Sequence, residues 1–260
     1  MNLESLQTAL QALSLGGLRY LEQTGSTNDI ALKWIEEGGR DFSLVVANEQ
    51  IAGRGRNGRS WQTPPDSALA LSLLLIPNPD EKQNLSLFTG LGALAITTAL
   101  EKKYGIEAKI KWPNDILINA KKIAGILVET SWLGDEIKGI VLGMGVNIHV
   151  NSVPPQKSLN FPATSIENIL GQKVDRVEFL GEILTMLIKL RPRLGSGDFI
   201  AAWEENLAFK GKQVEVRRAD EDIIRGKILG INQDGSLRLD TLKSLHFGDV
   251  HLRPMRVSYS

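Results

Sequence analysis

The chain predicts an α+β protein built on an antiparallel meander and ending in a small barrel-like appendage. Three observations carry that reading. Apolar residues recur at helical spacing in Leu3–Leu15, Ser26–Glu37, Leu85–Tyr104 and Asp175–Leu190. From Ile110 to Asn147 the texture changes to short β-branched and aliphatic runs with tight turns between them. After about Lys210 no helical pattern remains, only short strands with hairpin signals.

Taken in order, Leu3–Leu15 is a short amphipathic helix ended by Gly16-Gly17, and Leu18–Leu21 is a strand. Ser26 and Asp29 have the spacing of a capping box and start a second helix, which Gly38-Gly39 ends after about Glu37. Phe42–Ala47 is a strand, followed by a glycine- and arginine-rich loop from Ile51 to Ser60, Pro64-Pro65, and the buried-type strand Ala68–Ile76. Leu85–Tyr104 is the longest helical pattern, closed by Lys102, Lys103 and Gly105, as the helix dipole and left-handed caps favour. Ile116–Ile118, Ile123–Trp132 and Ile137–Ile148 form the meander, separated by Asn119-Ala120-Lys121 and Leu133-Gly134-Asp135-Glu136. Asp175–Leu190 is an amphipathic helix presenting Val177, Leu180, Ile183, Leu184, Leu187 and Ile188 on one face, and Gly197–Leu207 is a shorter helix. The tail strands are Val214–Val216, Ile223–Gly230, Ser236–Leu239 and Val250–Leu252, with a hairpin signal at Asn232-Gln233-Asp234-Gly235.

Composition limits the chemistry. The 260 residues contain 30 Lys+Arg, 30 Asp+Glu, three His and no Cys. Thiol nucleophiles, disulfides and cysteine metal sites are excluded, and the three histidines (His149, His246, His251) leave little room for histidine chemistry. Carboxylate, lysine and arginine chemistry remain. Zero net charge argues against bulk nucleic-acid or membrane binding. The N-terminus lacks the basic start and apolar stretch of a signal peptide. The most apolar runs, Ala68–Ile76 and Leu91–Leu100, fall short of the roughly 20 residues that cross a bilayer. The expectation is a soluble, cytoplasmic protein.

Gly53-Arg54-Gly55-Arg56-Asn57-Gly58-Arg59-Ser60 matches a dinucleotide fingerprint and nearly matches a phosphate-binding loop. Both motifs need a helix after the loop, and here Pro64-Pro65 and a strand follow instead. Simpler physics remains: three arginines with no acid between Glu49 and Asp66, on a backbone whose glycines allow close approach. That composition suits a small phosphate or carboxylate; a solvated turn or a nucleic-acid patch are the alternatives. Lys111-Trp112-Pro113-Asn114-Asp115 is a rigid turn bracketed by opposite charges, with Lys121-Lys122 on the next hairpin; Asp115 suits either a magnesium ion or a lysine partner. In Gly143-Met144-Gly145-Val146-Asn147-Ile148 the glycines permit close packing. Asn147 interrupts an apolar run, as a structural hydrogen bond or a ligand contact.

Together these segments resemble the biotin protein ligase family. The matching stretches are Ser26-Thr27-Asn28, Glu49-Gln50, Gly53 to Trp61, Lys111 to Asp115, Lys122 to Glu129 and Gly143 to Asn147, with Pro162 to Ser165 and Gly248 to Arg253 fitting more loosely. The resemblance implies a mixed, mainly antiparallel sheet with helices on one side, class II synthetase-like, over residues 1–208. An SH3-like barrel would follow over 209–260. It implies that biotin attacks the α-phosphorus of MgATP, giving biotinyl-5′-AMP, which then acylates a lysine of a biotin carboxyl carrier protein, an acetyl-CoA carboxylase subunit.

The resemblance also assigns residues. Ser26, Thr27, Asn28 and Gln50 would bond the ureido ring of biotin, with Gly53 and Gly125 in the same pocket. Arg54, Gly55 and Arg56 would close over biotin and the adenylate, Arg56 nearest the phosphate, and Trp61 would be an apolar wall. Lys122 would orient the biotin carboxyl, stabilise the anionic phosphorus centre and, with Arg56, carry catalysis. Arg59, Lys111, Asn114, Asp115, Lys122 and Asn147 would face ATP, with Asp115 the magnesium ligand. Only about 17 residues precede the first catalytic strand, so no DNA-binding domain and no DNA partner are expected. Asn57 and Ser60 depart from the further basic residues common in the family, and Gly248-Asp249-Val250-His251 departs from its usual Gly-Glu-[Val/Ile]-Ser. A homodimer through an edge strand is left open. The alternative activity is that of the related lipoate ligases and octanoyl transferases, which acylate a carrier lysine on the same fold.

Overall fold

Strand pairing divides the chain into two sheets. The computed structural model describes residues 1–155, 161–217, 223–241, 244–245 and 251–254. The first sheet contains β1 (Gly17–Thr24), β2 (Ser43–Arg54), β3 (Ser60–Thr63), β4 (Ala68–Leu75), β5 (Lys109–Lys111), β6 (Asp115–Ile118), β7 (Lys121–Leu133) and β8 (Glu136–Asn147). Its order is β1-β2-β4-β8-β7-β6-β5, with β3 paired to β2. β1 runs parallel to β2 and the other pairs are antiparallel, so the sheet is mixed and mainly antiparallel.

The helices of this part are α1 (Leu3–Leu10), α2 (Thr27–Glu36), α3 (Pro79–Gln83), α4 (Leu87–Tyr104), α5 (Ile166–Leu170), α6 (Arg176–Leu190) and α7 (Gly197–Glu205). Side chains alternate across a strand, so neighbours in sequence serve opposite faces. Leu44, Val46, Leu71, Leu73, Leu142 and Met144 join α1, α4, α6 and α7 in the large core. Val45, Leu74 and Val141 point the other way and receive Ala31 and Ile35 of α2. One-sided layering therefore describes most of the helices, while α2 lies across the sheet from them. Helix α4 is apolar all round because it is enclosed by the sheet, α6 and α7, and every residue from Leu87 to Thr97 is buried.

Several boundaries differ from the sequence reading. Helix α1 stops at Leu10 rather than Leu15, because the chain is already turning toward the sheet, where Gly16 N–H donates to Phe42 O at 3.0 Å. Ser26 caps α2 with its backbone but makes no side-chain cap bond, so the expected capping box is absent; Asp29 pairs with Arg54 instead. In α6 the apolar stripe includes Phe179 and Met186, while Ile188 is exposed. Helices α3 and α5 escaped the periodicity because each is only five residues long. Their local signals are the Asn78/Glu81 capping box with Pro79 at the first turn, and Ser165 at an N-cap.

The second sheet is β9 (Gln213–Arg217), β10 (Ile223–Ile231), β11 (Leu237–Leu239), β12 (Ser244–Leu245) and β13 (His251–Pro254), in the order β12-β11-β10-β9-β13 and antiparallel throughout. It forms a separate C-terminal β domain. β12 is an addition to the predicted strands, and positions 248–250 of the loosely matching C-terminal stretch lie outside the described residues.

Arg191 fastens the chain after α6 to the sheet side of the fold. Its guanidinium donates to both oxygens of Glu81, both oxygens of Asp41 and the carbonyl of Ile76, at 2.8–3.0 Å. Removing it strands the buried Glu81 carboxylate. Arg191→Met is expected to cost about 3 kcal/mol, the low end for breaking a buried pair because Asp41 is half-exposed. Urea unfolding should show a lowered midpoint at unchanged slope; an unchanged midpoint would mean the cluster contributes nothing net.

Candidate active site

A cavity opens where the start of α2, the β2–β3 hairpin, the turn between β5 and β6, and the middles of β7 and β8 converge. Its floor is low because glycines replace side chains there. Gly143 and Gly145 sit two apart on β8, on one face of the strand, opposite Leu127 and Gly125 of β7. A Cβ at Gly143 would run into the Asn28 amide, and one at Gly145 into the Trp61 indole.

One end of the cavity is polar and uncharged. Gln50 Oε1 accepts from the Thr27 N–H at 2.9 Å and lies 3.1 Å from the Thr27 hydroxyl. Ser72 Oγ is 2.7 Å from Thr27 Oγ1 and 2.5 Å from Asn28 Oδ1. Asn28 Nδ2 donates to Glu129 Oε2 at 2.6 Å. Ser26, Thr27, Asn28 and Gln50 are all buried. Gly53 is absent from the lining, and its backbone packs instead against Gln50 and the Trp61 carbonyl, leaving no room for a Cβ.

The other end is cationic. Lys122 Nζ lies 2.5 Å from Asp115 Oδ1 and 5.3 Å from the centre of the Trp61 ring. Lys111 Nζ lies 3.5 Å from Asp115 Oδ2 and 4.3 Å from the centre of the Phe161 ring. Burial pushes the Lys111 ammonium below the usual lysine range, helped by Lys122 and Arg59 and opposed by Asp115. Burial pushes the Asp115 carboxyl up, but Lys122 and Lys111 outweigh it and hold the group below the usual carboxylate range. Lys122 is anchored by its backbone: its N–H donates to Pro162 O at 2.8 Å and its carbonyl accepts from Thr164 at 2.9 Å. That pairing explains why Pro162 to Ser165 belongs with the other motifs.

The arginine segment is a hairpin rather than a loop. Strand β2 runs to Arg54, and the turn is Arg56-Asn57-Gly58-Arg59, with Arg59 N–H donating to Arg56 O at 3.3 Å. Asn57 and Gly58 have φ of 56° and 70°, the pair of positive angles that selects Asn-Gly in a tight hairpin turn. So the asparagine that departs from the family pattern satisfies the turn. Arg54 is pinned at the base, to Asp29 at 2.6 Å and to Glu129 at 3.1 Å, while Arg54, Gly55, Arg56 and Arg59 line the cavity.

Trp112 is buried beneath the Lys111–Asp115 turn, and its indole N–H donates to Gly235 O, in the β10–β11 turn of the C-terminal sheet, at 2.9 Å. The same β10–β11 turn accepts from Ser86 Oγ through Asp234 O at 2.5 Å. Asn114 lines the cavity, but its amide donates to Ile126 O while its carbonyl accepts from Ile126 N–H, both at 2.9 Å. Asn147 does not line the cavity. It is buried and donates to Thr164 O at 3.1 Å, the structural hydrogen bond of the two readings.

As a protein-ligated magnesium site, the cluster does not fit. Both Asp115 oxygens face lysines, and among the described residues no group of three or more His, Asp or Glu side chains gathers to hold an ion. Sequence reasoning placed Asp29 in a capping box rather than at the site, and gave no site role to Ser72 or Glu129. The available signals were a lone hydroxyl in the apolar run Ala68–Leu75 and an acid closing the Lys122–Glu129 strand.

The Biotin/lipoate A/B protein ligase family matches residues 20–147, and the Biotin protein ligase C terminal domain family matches residues 209–253. A bifunctional ligase/repressor BirA from Bacillus spizizenii is 32% identical over 241 residues, covering 90% of this chain and 74% of that protein. A biotin–[acetyl-CoA-carboxylase] ligase from Paracoccus denitrificans is 34% identical over 228 residues, covering 84% of this chain and 92% of that protein. Among solved structures, the biotin protein ligase from Aquifex aeolicus in complex with biotin and ATP superposes with a TM-score of 0.79 at 28% identity, covering 92% of this chain and 99% of that one. No helix among the described residues is long and apolar enough to cross a membrane.

Proposed function

The chain belongs to the biotin protein ligase family, and we propose that it joins biotin to a lysine of a biotin carboxyl carrier protein in two ATP-dependent steps. In the first, an oxygen of the biotin carboxylate bonds to the α-phosphorus of ATP and the bond to the β-phosphate oxygen breaks, releasing pyrophosphate. In the second, the neutral amine of the carrier lysine attacks the acyl carbon, AMP leaves, and the amine gives up a proton. Both substrates bring their own reacting groups, so the protein's task is to align them and to neutralise charge.

The observation that carries this reading is the position of Lys122. It stands where the uncharged polar end of the cavity gives way to the cationic end, beside the indole of Trp61. Biotin has the matching form: a ureido ring needing neutral donors and acceptors, and a carboxylate at the end of an apolar chain. With the ring among Thr27, Asn28 and Gln50 and the chain along Trp61 and Gly125, the carboxylate arrives at Lys122. Lys111, Arg56 and Arg59 then face the phosphates. The Arg56–Arg59 turn serves as a lid over the adenylate, which hydrolyses if water reaches it.

Magnesium enters as the counterion of ATP rather than as a resident ion, since Asp115 is committed to two lysines. A nucleic-acid role is not part of the proposal, because the net charge is zero and the turn arginines line the cavity. The proposed boundary between catalytic and C-terminal parts stays at 208/209, and the compartment at the cytoplasm. Biotin-dependent ATP–pyrophosphate exchange tests the first step. Exchange with biotin and little with lipoate or octanoate is expected; exchange with lipoate alone would transfer the reading to the lipoate branch, and no exchange with any of the three would remove it.

A further inference from the structure

Glu129 is outside the residues that line the cavity and faces an adjoining hollow beside the arginine turn, yet it touches both Asn28 at the biotin end and Arg54 at the base of that turn. Its Oε2 accepts from Asn28 Nδ2 at 2.6 Å, and its carboxylate accepts from Arg54 Nη2 at 3.1 and 3.3 Å. Arg54 ends β2 at the base of the arginine turn, and Asp29 holds that guanidinium from the other side at 2.8 Å. Glu129 therefore joins the start of α2 to the hairpin that carries the turn.

Proton accounting gives this contact a direction. An ionised carboxylate only accepts, so the Asn28 edge facing Glu129 must be the amide NH2, and Asn28 Oδ1 must face Ser72. An amide oxygen cannot donate. Ser72 Oγ donates toward both Asn28 Oδ1 and Thr27 Oγ1, and the Thr27 hydroxyl in turn donates to Gln50 Oε1 at 3.1 Å. Gln50 Oε1 also accepts from the Thr27 N–H. The Thr27 hydroxyl, with its proton directed at Gln50, presents a lone pair to the cavity. The network from Glu129 through Asn28 and Ser72 to Thr27 and Gln50 thus leaves Thr27 an acceptor. An acceptor is what a ureido N–H needs, and it repels a ligand offering only lone pairs there.

We infer that Glu129 is a positioning residue for the polar head of the ligand, fixing the Asn28 amide and, through Ser72, the place of the Thr27 hydroxyl, while anchoring Arg54. The inference rests on the biotin reading above. Two variants test it, each measured by pyrophosphate exchange for activity and by titration calorimetry with biotin alone. Glu129→Gln keeps the volume, removes the charge, and allows the Asn28 amide either orientation; Ser72→Ala cuts the network without touching Arg54. In both, the KM and Kd for biotin are expected to rise about tenfold or more, the size of one or two misdirected hydrogen bonds. The KM for ATP and kcat should stay within about twofold, a split that a general loosening of the fold would not produce. If Glu129→Gln binds biotin as tightly as the parent, the positioning role is wrong. If Ser72→Ala alone does, the link through Ser72 is wrong. A parent protein that fails to bind biotin at all would sink the underlying reading instead.

Discussion

Lys122→Ala should lower biotin-dependent ATP–pyrophosphate exchange by about a thousandfold, the upper end for removing one preorganised donor from a developing anion. The fold should survive the change. Lys122 is held by backbone pairing to Pro162 and Thr164, which its side chain does not affect. Asp115 is not left alone either, because Lys111 still faces its second oxygen at 3.5 Å. The loss should fall mainly on kcat, with a smaller rise in the KM for biotin, since Lys122 meets the carboxylate while the ureido contacts lie at the other end of the cavity. Lys122→Arg keeps a cation but not a compact one, and should recover only part of the rate. A loss of less than tenfold in Lys122→Ala would place the reacting phosphorus elsewhere, with Arg56 or Lys111 as the group that meets the charge.

Local chemistry explains which parts of this site could be read directly. The Lys111–Asp115 turn and the Lys121-Lys122 hairpin are written in neighbouring residues, with proline and asparagine at the bend and β-branched residues on either side. Their charges come together because a turn keeps sequence neighbours close. The arginine hairpin is half legible: its arginines and glycines stand out in the sequence, but the strand runs on past Ala47 to Arg54 and Asn57-Gly58 makes the turn. Glu129, Ser72 and Asn28 were beyond that kind of reading. They meet only because β4 pairs with β8 and β8 with β7 in one register, bringing together positions 44 and 101 residues apart. A shift of one residue in any of these pairs would turn the same side chains into the opposite core. Asn147 is the reverse case. Its polar identity inside an apolar strand was evident, but its partner is a carbonyl on a segment that only the tertiary fold delivers.

Asp115→Asn should separate activity from stability along the pH axis. In the parent protein, Asp115 is the group that opposes the fall in the Lys111 pKa, against burial, Lys122 and Arg59, which all lower it. Without the carboxylate every remaining influence acts in one direction, and Lys111 loses its proton at a lower pH. The alkaline limb of pyrophosphate exchange should therefore move toward neutral pH, with the rate beyond that limb down about a hundredfold, as the Lys111 cation disappears from the phosphate end. Stability should run the other way. Below the lowered Lys111 pKa the variant holds two lysines together with no counter-charge, costing about 3 kcal/mol by the usual measure of a broken buried pair. Between that lowered pKa and the ordinary lysine value the unfolded chain binds the proton and the folded chain does not, so stability rises with pH. Thermal unfolding and exchange, followed together from pH 6 to pH 10, should thus diverge: unfolding temperature climbing while rate falls. The magnesium concentration at half-maximal rate should match the parent's. A large shift in that concentration, with the two pH curves moving in parallel, would show Asp115 holding the metal rather than the lysines.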